Sequence, residues 1–326
     1  MTAVRLLELD MGGKALSLPV YFPSISSVKT TLQPHDYLEV LASLVGLNGQ
    51  YLVSAFDLAA LAQPIDAAKL LQASRDAGAV TLMDSGNYES FWKDAKRKWL
   101  QPTFHQILAT FPCDLAFGFD EQQPPADSAE HVALVVARWQ EDQEAAGACR
   151  VVPIIHADAD RLAGLCSAVA AEIGVSMLAV PERRLGDGII DRARALLAIR
   201  NELDKLDRYV ALHLLGTGNP ISIALYSAMG ADSFDGLEWC QTVVDHETAL
   251  LYHLSQADFF AAQTAWSEAG LSFQARTLAH NLEFYASWMR RLRTAIANGT
   301  AVDFCRLNFP AQVFRRCAAA FDWSVS

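Results

Sequence analysis

Residues 209–236 read YVALHLLGTGNPISIALYSAMGADSFDG, and this stretch decides the fold. An apolar run closes on GTG, a helical segment follows, and a second apolar run begins near residue 231. Asn219 suits a helix N-cap, because its side-chain oxygen can accept from free amides of the first turn. Pro220 fits that turn, where its missing N–H costs nothing, and Gly230 can take the left-handed backbone that stops a helix. Strand, crossover helix, strand is the unit of a parallel sheet. The apolar runs are continuous rather than alternating, as strands covered on both faces require.

The same unit recurs toward the N-terminus. LPVYFPSIS, QYLVSAFD, VTLMDSG, DLAFGFDE, VVPIIHAD and SMLAVPE are further strand-like runs, which brings the total to eight. Helical periodicity covers 34–46, 65–78, 128–146, 160–174 and 188–206. A doubly wound sheet fits the alternation too, but eight strands in 326 residues favour a (β/α)8 TIM barrel. We expect one domain over 1–326, with a C-terminal segment from about residue 245 built of helices only. Polar residues gather where the runs end, at Asp57, Asp84, Asp120, His156, Glu182 and Asp235. A barrel keeps its chemistry at that end.

Composition narrows the class. No stretch approaches the ~20 apolar residues of a membrane span, and the N-terminal MTAVRLLELDMGGK lacks the pattern of a signal peptide. The six cysteines are scattered without a C-x-x-C pair, which reads as reduced thiols in a cytoplasmic protein. The formal charge of −11 lowers the expectation of a nucleic-acid partner, which usually meets a basic face.

Asp84 opens DSGNYE and Asp235 sits in ADSFDG, both beside glycine at a strand end. Either alone reads as an ordinary cap of the following helix. Together with Asp120 and His156 on one barrel face they suggest an acid/base constellation.

Six motifs in order give a family resemblance. DSGNYE resembles the DSGGFQ-type motif of tRNA-guanine transglycosylases. PVYFPSISSVK, FGFDE, LAVPE (with Pro181 where the family has glycine), HLLGTGNPISIALYSAMGADSFDG and HNLEFYASWMRRLRTAI resemble further blocks of that family. The resemblance implies that Asp235 is a nucleophile attacking C1′ of a ribose and that Asp84 is the general acid/base for the leaving or incoming base. A carboxylate can carry a glycosyl group covalently, and its partner must hold a proton part of the time. The resemblance further implies a pocket for guanine or a 7-deazaguanine. Asp120 would accept from the base's N1 and amino donors, and His156, where the family has glutamine, would donate to O6. Tyr88 would stack on the ring. Ser85, the backbone near Leu178 and Ala179, and Leu215 with Gly216 would complete the base-binding set. The plain alternatives are a core histidine at 156 and ordinary packing of Tyr88. Relatives in the family commonly form homodimers.

Two family features are missing. The C-x-C-x2-C zinc triad has no counterpart, since no cysteine lies within 241–279. We expect no cofactor and no zinc, and His280 of HNL reads as structural. The arginines that grip tRNA are missing as well. Residues 209–275 contain no Lys or Arg, but do contain Asp232, Asp235, Glu238, Asp245, Glu247, Asp258 and Glu268. A polyanion would then meet a rim of carboxylates without compensating charge. Basic clusters lie at 93–98, at Arg183 and Arg184, at Arg290, Arg291 and Arg293, and at Arg315 and Arg316, each readable as a solvated face.

Two functions follow. One is an enzyme that exchanges guanine for a 7-deazaguanine in tRNA or DNA. The other is a binding protein with the pocket kept and a protein as partner, for example one carrying a deazaguanine, as family-like proteins of anti-phage defence operons suggest. Trp239, Phe259, Phe260 and Trp266 are candidate interface anchors for that reading.

Overall fold

The computed structural model describes residues 5–11, 13–93 and 99–324. Eight parallel strands run in chain order: β1 (Val20–Ile25), β2 (Gln50–Ser54), β3 (Val80–Asp84), β4 (Leu115–Phe117), β5 (Arg150–Val152), β6 (Met177–Pro181), β7 (Ala211–Leu215) and β8 (Ser233–Gly236). Each pairs with its sequence neighbour except across the β5–β6 seam, and β8 pairs with β1. The seam is closed just past β5, where Ile154 bridges Ala179. There the Ile155 amide donates to the Ala179 carbonyl at 2.9 Å, and the Ala179 amide to that of Pro153 at 3.0 Å. The fold is therefore a TIM-barrel-like α/β structure, as the eight runs predicted.

Two apolar layers hold it. Inside the barrel, Val20, Phe22, Leu52, Leu82, Phe117 and Ala179 pack together. An antiparallel hairpin, Glu8–Asp10 with Ala15–Ser17, adds Leu9 and Leu16 to this interior cluster at the N-terminal end of the strands. Outside, strand residues such as Val53, Met83 and Leu214 pack against the surrounding helices. The helix Pro220–Ala228 forms as its caps predict, with Asn219 accepting from the Ile221 amide at 3.0 Å and the Ser222 amide at 3.3 Å. Gly230 ends it at φ +103°, and a Cβ there would meet Arg200 Cγ at 2.5 Å.

Three expectations need correction. Asp57 is not at a strand end. It sits in the short helix Ala55–Ala59 just past β2, accepts from the Ser27 amide at 2.6 Å and does not line the cavity described below. Between β3 and β4 the chain forms two helices, Asn87–Trp92 and Gln101–Thr110, which apolar periodicity did not reveal. The C-terminal segment is not helices only. Thr242–Val244 pairs antiparallel with Leu251–His253 before the helices Phe273–Ala297, Ala301–Asn308 and Ala311–Phe321. The longest of these helices clamps the hairpin. Asn281 donates to the carbonyls of Trp239 and Thr242 and accepts from the Val244 amide at 3.0 Å. The buried amide edge of a three-residue strand is thereby satisfied. Among the described residues no helix is long and apolar enough to cross a membrane.

Candidate functional site

A cavity of about 730 Å³ opens at the C-terminal ends of the strands. That volume suits a ligand larger than a single ring. Asp84, Ser85, Tyr88, Asp120, His156, Leu215, Gly216 and Asp235 all line it, so eight of the ten predicted site residues converge. Leu178 and Ala179 do not. Both lie within β6 and are fully buried, and the Ala179 amide and carbonyl are spent on the barrel seam. The wall on that side is made instead by Pro181, Glu182, Arg183 and Arg184, where the strand ends.

Asp235, on β8, is held by three donors. Ser24 Oγ gives to Oδ2 at 2.9 Å, while the Gly216 amide at 2.9 Å and His213 Nε2 at 3.1 Å converge on Oδ1. The Gly216 amide, expected to meet a base, therefore serves Asp235. His213 is fully buried, and its Nδ1 lies 2.7 Å from Ser233 Oγ. Ser24 and His213 were missed by sequence reasoning. The only signal was strand register, which sets Ser233 beside His213 and Asp235 beside Phe22, two residues from Ser24.

Asp84 is in a different environment. It accepts from the Gly86 amide at 3.0 Å. Burial raises its pKa well above the usual carboxylate range, and the nearby charges of Glu89, Asp120 and Asp235 add to this against the Gly86 amide. Gly86 sits at φ +84° against Phe56, whose backbone nitrogen a Cβ would meet at 2.6 Å, so only glycine allows this turn. Two further carboxyls of the cavity are also raised. Burial pushes Glu89 up to about 7, with Asp57 adding to it and the Ser26 and Ser54 hydroxyls opposing. Burial likewise pushes Glu238 up to about 7, opposed by the Gly218 amide and reinforced by Asp235 and Glu182.

Asp120 is already engaged. Asn87 Nδ2 donates to its Oδ1 at 2.8 Å, and Gln122 and His156 Nε2 both contact Oδ2. A carboxylate only accepts, so Nε2 carries a proton, and Nδ1 is buried without a hydrogen-bond partner. In this arrangement His156 orients Asp120 instead of pointing its Nε2 proton at a ligand. Tyr88 is partly exposed, with its ring edge-on to Trp92 at 6.3 Å.

The charge of the rim also needs correction. Of the seven carboxylates in 209–275, only Asp235 and Glu238 line the cavity. Asp232 is buried at the start of β8, and Asp258 pairs with Arg276 at 2.8 Å. Lys29, Arg183 and Arg184 line the same cavity from the ends of β1 and β6, and Arg192 lines it from the helix Ile189–Leu203. The rim is therefore mixed in sign. In the basic cluster at 93–98, residues 94–98 lie outside the described residues.

The place of the family's zinc does not fit a metal. His280 Nε2 donates to the Val244 carbonyl at 2.8 Å, and its Nδ1 faces Thr264 Oγ1 at 3.4 Å. His246 Nε2 lies 3.0 Å from the His280 carbonyl, and among the described residues no group of three His, Cys, Asp or Glu side chains is placed to hold a metal. A zinc ligand needs a bare ring nitrogen, and these bonds engage both nitrogens of His280 and Nε2 of His246.

Glu238 carries a prediction. Its carboxyl end is enclosed, since a Cβ on Gly218 would lie 1.9 Å and one on Gly236 2.4 Å from Oε2. Held at about 7 against an ordinary 4.5, it keeps a proton in the folded protein that the unfolded chain has released. Its contribution is full below pH ~4.5 and is lost as pH rises through ~7, at most about 3 kcal/mol. Asp84 and Glu89 act in the same direction. Urea unfolding from pH 5 to 8 should show falling stability, with a shallower fall in Glu238→Gln. An unchanged slope in the variant would remove Glu238 from this account.

The fold and site together define an α/β barrel with a group of carboxyls lining a cavity at the C-terminal ends of its strands. No family model matches the chain, and no curated protein sequence matches it.

Proposed function

We propose that the cavity recognises guanine or a 7-deazaguanine and exchanges that base on a ribose of a nucleic acid. The observation that carries this is the pairing of Asp235, donated to on both oxygens, with Asp84, whose pKa burial and like charges raise well above the usual carboxylate range. One carboxylate suits attack and the other suits proton delivery. Asp235 bonds to C1′ as the C1′–N bond breaks, and the proton of Asp84 goes to the departing base. The incoming base then displaces Asp235 and returns a proton to Asp84. His213, Ser24 and Gly216 orient the attacking carboxylate, and the sequence resemblance to transglycosylases supports the same roles.

Base recognition is tested separately from exchange. A guanine edge would take the place of Gln122 at Asp120, so Asp120→Ala should weaken guanine or 7-cyano-7-deazaguanine binding by about 1–3 kcal/mol. Calorimetry reads this directly. Adenine binding as tightly as the deazaguanine would end the proposal.

A second reading is a base-reading protein without exchange, docked on a protein partner that carries the base. It is favoured by Phe259, which is 80% exposed, beside the Tyr252–Phe260 ring pair at 4.9 Å. Trp239 drops out as an anchor, because it is fully buried and donates to the Ser24 carbonyl at 2.9 Å. Trp266 is held by Glu283 at 2.7 Å.

A further inference from the structure

The cavity is polar in two senses. Its floor carries Asp84, Glu89, Asp235 and Glu238, while Lys29, Arg183 and Arg184 bring cations to the same space. Arg192 also lines it but is neutralised by Glu182 at 3.0 Å. Among the described residues neither Arg183 nor Arg184 is in an ion pair. Arg183 Nη2 donates to Gln122 Oε1 at 3.1 Å and Arg184 Nη2 to the Gln122 carbonyl at 3.3 Å. Arg184 Nε is buried with no hydrogen-bond partner. Two guanidinium forks thus stand side by side with most of their donors unspent.

The pair is also held in place. Glu182–Arg184 is a single 3-10 turn closed by the Leu185 amide on the Glu182 carbonyl at 3.0 Å. Tyr226 anchors the Glu182 side chain at 2.9 Å. Arg183 is near enough to Tyr88 to oppose the rise that burial gives its hydroxyl pKa. A planar fork with spare donors matches phosphate oxygens, two at a time. A neutral or donor-rich group suits the carboxyl floor, and an anion does not.

We propose that Arg183 and Arg184 form a phosphate site at the cavity mouth, so that the ligand is a nucleotide unit with its base on the floor and its phosphate on the arginine pair. This rests on the base-binding reading above. Lys29 approaches from the end of β1, at φ +58° with Nζ 4.4 Å from the Trp92 ring centre. It would meet a neighbouring phosphate if the ligand is a strand. A free mononucleotide needs only the arginines.

The test is calorimetry with guanine, guanosine, guanosine 5′-monophosphate, inorganic phosphate and a short single-stranded guanine-containing oligonucleotide. The monophosphate should bind wild type at least about tenfold tighter than guanosine, and the Arg183→Gln/Arg184→Gln variant should lose that margin while binding guanine unchanged. Circular dichroism checks that the variant folds. A monophosphate no tighter than guanosine, or a margin that survives the double substitution, overturns the phosphate site and leaves base recognition intact. If guanine fails to bind while inorganic phosphate binds wild type and not the variant, the phosphate site stands and the base reading falls. Lys29→Gln weakening the oligonucleotide but not the monophosphate assigns the phosphate to a strand, and no effect on either assigns it to a free nucleotide.

Discussion

Asp235→Asn should abolish base exchange, by about a thousandfold or more, while leaving the fold and free-base binding in place. The substitution keeps shape and hydrogen-bonding capacity. Ser24 Oγ, now 2.9 Å from Oδ2, can rotate to accept from an amide, and the Gly216 amide and His213 Nε2 can still give to the remaining oxygen. What is lost is the charge that attacks C1′, and a neutral amide cannot form the glycosyl ester. Asp84→Asn should also slow exchange, but it should in addition change the pH profile, since the group that holds the proton is gone. Incorporation of radiolabelled guanine into tRNA and DNA measures both. Label retained by Asp235→Asn would remove it as nucleophile. If wild type binds the base but labels neither nucleic acid, the cavity is a reader and exchange is excluded as its function.

The barrel was legible because a strand buried on both faces must be apolar throughout, and eight such runs stand out. Asp84 and Asp235 were legible because each follows its run directly. Leu178 and Ala179 were misplaced because SMLAVPE is apolar along its whole length and does not reveal which residue ends the strand. The structure ends it at Pro181, two residues further on. His213 was hidden inside its own run, and its role comes from the parallel register that sets it beside Ser233. The engagement of Asp120 by Asn87, Gln122 and His156 involves three separate segments, which no spacing rule joins. The rim charge was misread for a related reason. A stretch without cations was taken as a surface without cations, yet Arg183 and Arg184 reach the cavity from the end of β6 and Arg192 from the helix Ile189–Leu203.

Asp232→Ala, at the opposite end of the barrel, should cost about 3–5 kcal/mol of stability. Asp232 is fully buried and accepts from Tyr209 OH at 2.8 Å, from the Leu212 amide at 3.0 Å and from Arg5 Nε at 3.1 Å. Arg200 stands 3.9 Å away, lies over the Tyr209 ring and reaches the Val210 carbonyl at 2.8 Å. Removing the carboxylate strands the Tyr209 phenol and the Leu212 amide and takes one partner from Arg5, which keeps the Ser227 and Ala231 carbonyls, while Arg200 keeps Asp204 at 2.7 Å. Asp232→Asn should cost less, because its oxygen still accepts while the paired charge is lost. Urea unfolding at neutral pH measures both variants, and a loss below about 1 kcal/mol for the alanine would mean that the cluster relaxes and does not hold β7 to β8. Guanine binding of the folded alanine variant should equal that of wild type, since none of these groups lines the cavity. Asp232 precedes β8 and Asp235 lies within it, three residues on, and the barrel separates their places: one carboxylate ties the start of the strand and the other lines the cavity.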